Sequence, residues 1–210
     1  ITVLIGIGTP MAIVAAVFHI LNHAIFKASL FMTTGIIDHE TGTRDLRVLR
    51  GLRHKLPITA TLAIVASAAM AGVPLLNGFL SKEMFFAETI HVGGDRNWWM
   101  SIAAVAMGMF SVAYSLRFSS VFFGEPAQDL PRNPHEPPRW MRFPVELLVL
   151  ACLVVGIAPG FSIEPLLHLA VVAILGEATP VYDLAVWHGF NLSLLMSVFA
   201  LGGGVLLYVV

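Results

Sequence analysis

Residues 10–38 read PMAIVAAVFHILNHAIFKASLFMTTGIID, an apolar run long enough to cross a bilayer as a single helix. A spanning helix needs about 20 predominantly apolar residues. Pro10 suits the first turn of such a helix, because its missing N–H would be unpaired there in any case. No stretch of the chain alternates apolar and polar residues as the strands of a porin do. The run therefore predicts an all-α membrane protein, a polytopic transmembrane helical bundle.

The composition of the whole chain supports a lipid environment. Of its 210 residues, 57% are hydrophobic and only 12% are charged, and the mean hydropathy is +0.83. Soluble domains are about 25% charged, twice the fraction found here. Disordered chains have low hydrophobicity and a high net charge, so this composition excludes a disordered chain. The net charge of −1 indicates no nucleic-acid partner. The single cysteine, Cys152, provides neither a disulfide framework nor a thiolate metal site. Both ends, Ile1 and the apolar residues 202–210, are typical of a segment of a longer chain.

The chain is predicted to divide into three parts. Residues 1–124 contain helices at 10–38, 57–71, 77–91 and 98–124; residues 125–143 are a proline-rich loop; and residues 144–210 form further membrane helices, with a short interfacial segment at 165–177 and a last span starting near His188. The helix at 57–71 is expected to stop at Gly72-Val73-Pro74, because proline removes a backbone donor and disfavours helix in the residue before it.

The segment at 77–91 poses a topological question. As a helix it would be about 22 Å long, which is less than the hydrocarbon core of about 30 Å. If it crosses alone, the Arg/Lys-rich loops at 39–55 and 125–143 lie on opposite sides of the membrane. If it is instead the first half of a broken helix continued by 98–124, the loops share a side. Positive residues concentrate on the cytoplasmic face, so we expect the broken helix.

The strongest chemical signal is the spacing of His19, His23 and Lys27, which places all three on one helix face. A charge near the middle of a span costs about 2.5–3.5 kcal/mol on insertion scales, so Lys27 is expected to face protein or water. Removal from water favours the neutral amine, and histidine titrates near neutrality. Two positive charges about 6 Å apart repel by roughly 3 kcal/mol at an effective dielectric of about 20. Protonation of His23 would therefore help to expel the proton of Lys27, as in a proton relay.

Other interpretations of these residues remain open. A histidine in a membrane helix is often a hydrogen-bonded packing residue, and two histidines four apart could ligate a metal. No third ligand is evident, however, so we expect no metal. No nucleophile set or phosphate-binding loop stands out either, and we expect no catalytic residue and no cofactor.

A second signal is the sequence Gly78-Phe79-Leu80-Ser81-Lys82-Glu83, which follows Pro74. Discontinuous helices commonly hold ions in transporters, and this favours a role for Lys82 and Glu83 in proton or ion translocation. Adjacent residues on a helix point about 100° apart, so the two are not a ready-made ion pair. They could equally be the solvated end of a peripheral helix.

Two sets of motifs resemble a known superfamily. The first set resembles the proton-translocating antiporter-like subunits, which include membrane-arm subunits of respiratory complex I and the large subunits of Mrp-type multisubunit cation/proton antiporters: His19-x-x-Asn22-His23-Ala24-x-Phe26-Lys27-Ala28-x-Leu30-Phe31, Gly51-Leu52, Pro57, Ala71-Gly72-Val73-Pro74 and Gly78-Phe79-x-Ser81-Lys82-Glu83. The second set resembles the large A-type component of the Mrp antiporters: Ile37-Asp38-His39-Glu40-Thr41-Gly42-Thr43-Arg44-Asp45, Pro134-His135-Glu136-Pro137-Pro138 and Trp187-His188-Gly189-Phe190-Asn191.

The resemblance implies two inverted helix repeats, each with a broken helix, of which this chain would be most of the second. Lys27 and Lys82 match the buried lysines of that half's proton path, with His19 and His23 on the same path. The implied activity is secondary exchange of H⁺ for a monovalent cation such as Na⁺, within a hetero-oligomeric complex of other antiporter subunits in a bacterial plasma membrane. A proton-pumping membrane-arm subunit of an NADH–quinone oxidoreductase or related redox complex is the alternative, and a structural scaffold is a third.

Overall fold

A computed structural model describes residues 1–93, 98–127, 129–187 and 189–210, and within these ranges the fold is all-helical, which confirms the predicted class. The α-helices are α1 (Thr2–Ile7), α2 (Pro10–Thr41), α3 (Pro57–Ala71), α4 (Asn77–Gly93), α5 (Trp98–Ser119), α6 (Arg139–Ile157), α7 (Pro159–Ser162), α8 (Glu164–Leu175) and α9 (Leu192–Val209). Short 3₁₀ turns at Leu52–His54, Ser120–Phe122 and Gly176–Ala178 complete the described elements.

Four of these helices are long and apolar enough to cross a membrane. They are α2, α5 with its terminal 3₁₀ turn, α6 and α9, in the part of the chain that the structure describes. Helices α3 and α4 have 15 and 17 residues. At 1.5 Å per residue each is about 22–26 Å long and falls short of a hydrocarbon core of about 30 Å.

The polypeptide is interrupted between α3 and α4. Helix α3 ends at Ala71, and the residue that caps it, Gly72, has a φ of +86° and donates its N–H to the carbonyl of Ala68 at 3.0 Å. Pro74 follows and has no N–H with which to continue the helix. Leu75 then adopts a φ of +68°, a left-handed conformation that is rare for a residue with a side chain. The chain needs this conformation to turn from the end of α3 into the start of α4.

Helix α5 runs antiparallel to α4. Near the start of α4, Lys82 Nζ lies 3.2 Å from Ser111 Oγ, late in α5. Further along α4, the ring of Phe86 approaches Gly108, which is earlier in α5. Contacts that run in opposite directions along the two helices require them to lie side by side. The prediction that 98–124 continues 77–91 as one broken helix is therefore wrong, and the connecting residues 94–97 lie outside the described part of the chain.

The two Arg/Lys-rich loops nevertheless meet at one end of the bundle. The N–H of Gly51 donates to the carbonyl of Phe123 at 2.8 Å, and the N–H of Ala127 donates to the carbonyl of Arg50 at 3.3 Å. The two loops therefore lie on the same side of the bundle, as we expected from their charge. The broken pair of helices that produces this arrangement is α3 and α4. Helices α3 and α4 together make one crossing, and α5 returns to the side where α3 began.

The loop that follows α2 is ordered by local ion pairs. Arg44 contacts Asp38 at 2.7 Å, and the Arg47 guanidinium donates to both carboxylate oxygens of Asp45. Hydrogen bonds from the Arg47 side chain, and then from its backbone N–H, lower the pKa of Asp45 to about 2. Asp45 is therefore ionised at any physiological pH, and this pairing does not titrate there.

Two motifs that are far apart in the sequence, at Glu40 and His135, come together at this end. The Glu40 carboxylate is almost fully buried, with His39 Nδ1 3.0 Å from one oxygen and His135 Nδ1 3.2 Å from the other. The N–H of Arg132 also donates to the carbonyl of Thr41 at 3.1 Å. The end of α2 is consequently fastened to the loop that joins α5 to α6.

Glu136, in the same loop, caps the start of α3. Its carboxylate accepts hydrogen bonds from the N–H of Ile58 at 2.6 Å and from the N–H and hydroxyl of Thr59 at 3.0 and 2.9 Å. The first N–H groups of a helix have no helical partner, and a carboxylate also suits the positive end of the helix dipole. Glu136 thus satisfies groups that Leu56, at the N-cap position, cannot.

The later helix boundaries differ in detail from the predictions. Helix α6 begins at Arg139, so Pro144 lies inside it and not at its start. Membrane helices tolerate such a proline because local adjustments satisfy the carbonyl that it frees. Helix α9 begins at Leu192, where Asn191 Oδ1 accepts from the N–H of Leu194 at 2.7 Å, and His188, near which we expected the span to start, lies outside the described residues. The segment expected at 165–177 is largely helix α8.

The start of α4 packs so tightly against α3 that only glycine fits at position 78. A Cβ added to Gly78 would lie 1.8 Å from the carbonyl oxygen of Ala69, and backbone atoms cannot move aside as a flexible side chain can. We predict that Gly78→Ala destabilises the helix pair by about 1–3 kcal/mol or more. The measurement is the Tm of the purified full-length assembly, followed by fluorescence-detected size exclusion. Gly35→Ala on α2, where a Cβ meets no atom within 4 Å, is the matched control and should leave the Tm unchanged or higher. Equal Tm values for the two variants would contradict this account of the interruption.

Candidate functional site

Four of the predicted site residues line one cavity. His19, His23 and Lys27 on α2 and Lys82 on α4 border a space of about 250 Å³ between α1, α2, α3, α4 and α5. All four side chains are partly buried. The spacing of four along α2 therefore produces the shared face that the sequence predicted, and the interruption of the polypeptide brings Lys82 to the same space.

His19 links α2 to the first turns of α4. Its Nδ1 lies 3.1 Å from Ser81 Oγ, and the Ser81 hydroxyl lies 3.2 Å from the carbonyl oxygen of Gly78. Because a hydroxyl has one hydrogen, donation to Gly78 leaves the Ser81 oxygen to accept from an Nδ1–H of His19. In that tautomer Nε2 is the basic nitrogen. The ring of His23 follows at a centroid distance of 5.9 Å.

Lys82 lies across the interruption between α3 and α4. Its Nζ donates to the carbonyl oxygen of Ala71 at 2.7 Å and to Ser111 Oγ at 3.2 Å. The last carbonyls of a helix lack helical partners and form the negative end of its dipole, where a cation is stabilised. The aliphatic part of the side chain passes so close to Gly72 that an added Cβ there would lie 2.7 Å from Cδ of Lys82. The Lys82 side chain therefore contacts the end of α3 both through its amine and through its aliphatic part.

Lys27 contacts α5 as Lys82 does, one turn further along that helix. Its Nζ donates a hydrogen bond to the Tyr114 hydroxyl and lies 4.8 Å from the centre of that ring, within the range of a cation–π interaction. The Tyr114 hydroxyl donates in turn to Met70 Sδ. Ser111, one turn before Tyr114 on α5, donates to the carbonyl oxygen of Met70 at 3.2 Å.

Ser111 and Tyr114 are site residues that the sequence analysis did not identify. Each contacts one of the two lysines, and both line the cavity. The available signal was their spacing of three on a largely apolar helix, which puts two hydroxyls on one face.

Glu83, the fifth predicted residue, faces another part of the molecule. It is buried and borders a second cavity of about 440 Å³ that is also lined by Glu88 and Asp183. Glu88 accepts a hydrogen bond from the Thr9 hydroxyl at 2.8 Å. The structure thus separates Glu83 from Lys82 as their adjacent positions on a helix require. Among the described residues, no group of three His, Cys, Asp or Glu side chains could hold a metal ion.

These features define a class of protein: a polytopic α-helical membrane protein with ionisable side chains around a cavity at an interrupted helix. Residues 1–111 match the model of the family described as "NADH:quinone oxidoreductase/Mrp antiporter, TM". The chain belongs to this family, which confirms the resemblance drawn from its motifs.

Several known antiporter proteins are similar over nearly the whole chain. It is 65% identical over 211 residues to the A/B subunit of a probable K⁺/H⁺ antiporter of Rhizobium meliloti (strain 1021), covering 99% of this chain and 21% of that protein. It is 37% identical over 211 residues to the A subunit of the Na⁺/H⁺ antiporter of Alkalihalophilus pseudofirmus, covering 94% of this chain and 26% of that protein. The chain thus spans about a fifth to a quarter of the length of these relatives.

Solved structures give the same picture of the fold. The Mrp complex from Dietzia sp. DQ12-45-1b superposes with a TM-score of 0.79 at 36% identity, covering 98% of this chain and 22% of that chain. Respiratory complex I from Thermus thermophilus with bound NADH superposes with a TM-score of 0.68 at 24% identity, covering 83% of this chain and 36% of that chain, and this similarity concerns the fold alone.

Water in the cavity would make side chains near Lys27 accessible to water-soluble reagents. We predict that a cysteine replacing His23 reacts with a water-soluble methanethiosulfonate reagent at least about tenfold faster than Cys152, because a thiol beside water ionises more readily than one in an apolar core. Cys152 is fully buried and is the natural control. The rates would be measured by mass spectrometry on the full-length protein in membranes, with its other cysteines replaced. Equal rates at the two positions would exclude a hydrated cavity.

Proposed function

We propose that this chain is the part of an antiporter subunit that moves protons along His19, His23, Lys27 and Lys82 in exchange for a monovalent cation, Na⁺ or K⁺. The observation that carries the proposal is that side chains from two helices, each able to gain and lose a proton, border one cavity at an interruption of the membrane helices. Residues in this position are expensive to keep inside a membrane, and they commonly mark ion pathways.

The contacts of Lys82 support a mechanism that couples proton movement to structure. In the charged form, the ammonium group donates to the carbonyl oxygen of Ala71, at the negative end of α3. Loss of a proton removes the charge and weakens this contact. Arrival or departure of a proton at Lys82 therefore changes how α3 and α4 are held together.

Lys27 and the histidines supply and remove that proton. His19 is linked to α4 through Ser81, and His23 lies between His19 and Lys27 on the same face of α2. A positive charge on His23 disfavours one on Lys27. Like charges one helical turn apart repel by about 2–4 kcal/mol at an effective dielectric of about 20. The repulsion drives protons onward and keeps the cavity from holding several charges at once.

The names of the relatives favour exchange over redox-driven pumping. The relatives that are at least 34% identical are named as parts of antiporters, for K⁺ in one case and for Na⁺ in others. The similarity to complex I concerns the fold alone. By the same argument, the partners of this chain are other subunits of a multisubunit antiporter, and its location is a bacterial plasma membrane, where the exchange supports pH and cation homeostasis.

The three lysines of the chain provide a matched experiment. We expect Lys27→Ala and Lys82→Ala, introduced into the full-length protein within its complete complex, to lower cation-induced pH change in everted vesicles at least about tenfold, because each removes a proton-carrying group. Lys55, on the exposed loop before α3, is the control, and Lys55→Ala should keep most of the parental rate. Both Na⁺ and K⁺ would be added in turn to identify the cation.

Three results would count against the proposal. Parental exchange rates in the Lys27→Ala variant would remove the residue from the path. An equal loss in Lys55→Ala would show that the effect is not specific to the cavity. Proton movement that requires NADH and quinone, with no response to added cation, would favour the redox alternative.

A further inference from the structure

Helix α5 presents two hydroxyl groups to the two lysines. The Tyr114 hydroxyl accepts a hydrogen bond from Lys27 Nζ, and Ser111 Oγ accepts one from Lys82 Nζ at 3.2 Å. Tyr114 is 46% exposed and Ser111 is partly buried, so Tyr114 lies nearer the mouth of the cavity that both residues line. The remaining hydroxyl on this part of α5, that of Ser115, donates to the carbonyl of Ser111 within the helix.

A proton that travels between Lys27 and Lys82 must pass from α2 to α4. The hydrogen bonds of both amines in the described part of the chain end on the hydroxyls of α5 and on the carbonyl of Ala71. A carbonyl accepts a hydrogen bond but has no hydrogen to pass on, whereas a hydroxyl can accept and donate at once. Among the groups that hydrogen-bond to the two amines, the hydroxyls are therefore the ones that can both take up and release a proton.

We propose that Tyr114 and Ser111 are the relay residues that carry protons between Lys27 and Lys82. The inference rests on the proposed function and adds a path between its two lysines. Neither residue changes its charge over a complete transfer, so the path does not require a tyrosinate or an alkoxide to persist in the membrane.

In each step, one bond to hydrogen forms for each one that breaks. An N–H bond of the Lys27 ammonium breaks, a new O–H bond forms on Tyr114, and the original O–H bond of Tyr114 breaks as its proton passes to water in the cavity. At Ser111 the same exchange occurs: the oxygen takes up the extra proton that Tyr114 passed to the cavity water and releases its own proton to the neutral amine of Lys82, so that the water returns to its neutral form. The cavity of about 250 Å³ has room for several water molecules, each of which occupies about 30 Å³ in the liquid.

Met70 holds both hydroxyl hydrogens in the arrangement that the structure shows. Tyr114 donates to its thioether sulfur, and Ser111 donates to its carbonyl oxygen. Thioether sulfur is a weak acceptor, so rotation of the Tyr114 hydroxyl away from Met70 costs little. Met70 is therefore a positioning residue that orients the hydroxyls between transfers, while the lysines and the hydroxyls handle the proton.

The test uses the complete antiporter complex with substitutions in the full-length protein. Tyr114→Phe keeps the ring and removes the hydroxyl, and Ser111→Ala removes the other hydroxyl. We expect each to slow cation-induced proton movement in vesicles about tenfold or more, the scale of a lost proton-transfer group, and to raise the ratio of rates in H₂O and D₂O. Ser111→Thr, which restores a hydroxyl, should recover most of the rate.

The controls separate the relay from packing and from the proposed function. Ser115→Ala removes a hydroxyl that donates within its own helix and should exchange at the parental rate. Parental rates in Tyr114→Phe and Ser111→Ala, alongside an inactive Lys27→Ala, would overturn the relay and leave the antiport proposal standing. A loss in Ser115→Ala equal to that in Ser111→Ala, or no recovery in Ser111→Thr, would assign the effect to helix packing and would also overturn it. Parental rates in Lys27→Ala would instead overturn the proposed function.

Discussion

The contact between the ammonium group of Lys82 and the carbonyl oxygen of Ala71 is the interaction on which the rest of the site depends. An interrupted helix leaves carbonyl groups without partners, and inside a membrane each such group is costly. Lys82 satisfies one of them from the following helix, so a single side chain stabilises the interruption. The tight approach of Gly78 to Ala69 and the left-handed turn at Leu75 hold the two helix ends where this contact is possible. The cavity, the histidine face of α2 and the hydroxyls of α5 are arranged around that point.

The helices themselves were largely predictable from the sequence, because long apolar runs and prolines mark where membrane helices start and stop. The start of α2 at Pro10 and the whole of α3 lie where the pattern placed them. The position of the interruption was not predictable in the same way. Gly72-Val73-Pro74 and the glycines near residue 94 are both helix-ending signals, and local sequence does not distinguish a gap inside one crossing from a turn between two. Side-by-side contacts such as that of Lys82 with Ser111 decide the matter, and they are tertiary.

The candidate site shows the same division. A lysine or histidine at mid-membrane depth carries a large energetic cost, so Lys27 and its neighbours on α2 stand out in the sequence. Hydroxyl groups carry little cost there, because they can bond to carbonyls of their own helix, as Ser115 does to Ser111. Tyr114 and Ser111 therefore gave no strong signal until the fold placed them beside the amines. Glu83 gave a signal, yet it turned toward a different cavity once the helix phase of α4 was fixed by packing.

The loop between α5 and α6 fixes the ends of two helices. Glu136 accepts hydrogen bonds from the first turn of α3, and His135 contacts Glu40 near the end of α2. Helix α3 is thereby held at its first turn, and these contacts of the loop are with α2 and α3. Because one loop holds the ends of both helices, a substitution in that loop would disturb α2 and α3 together, and both helices line the cavity.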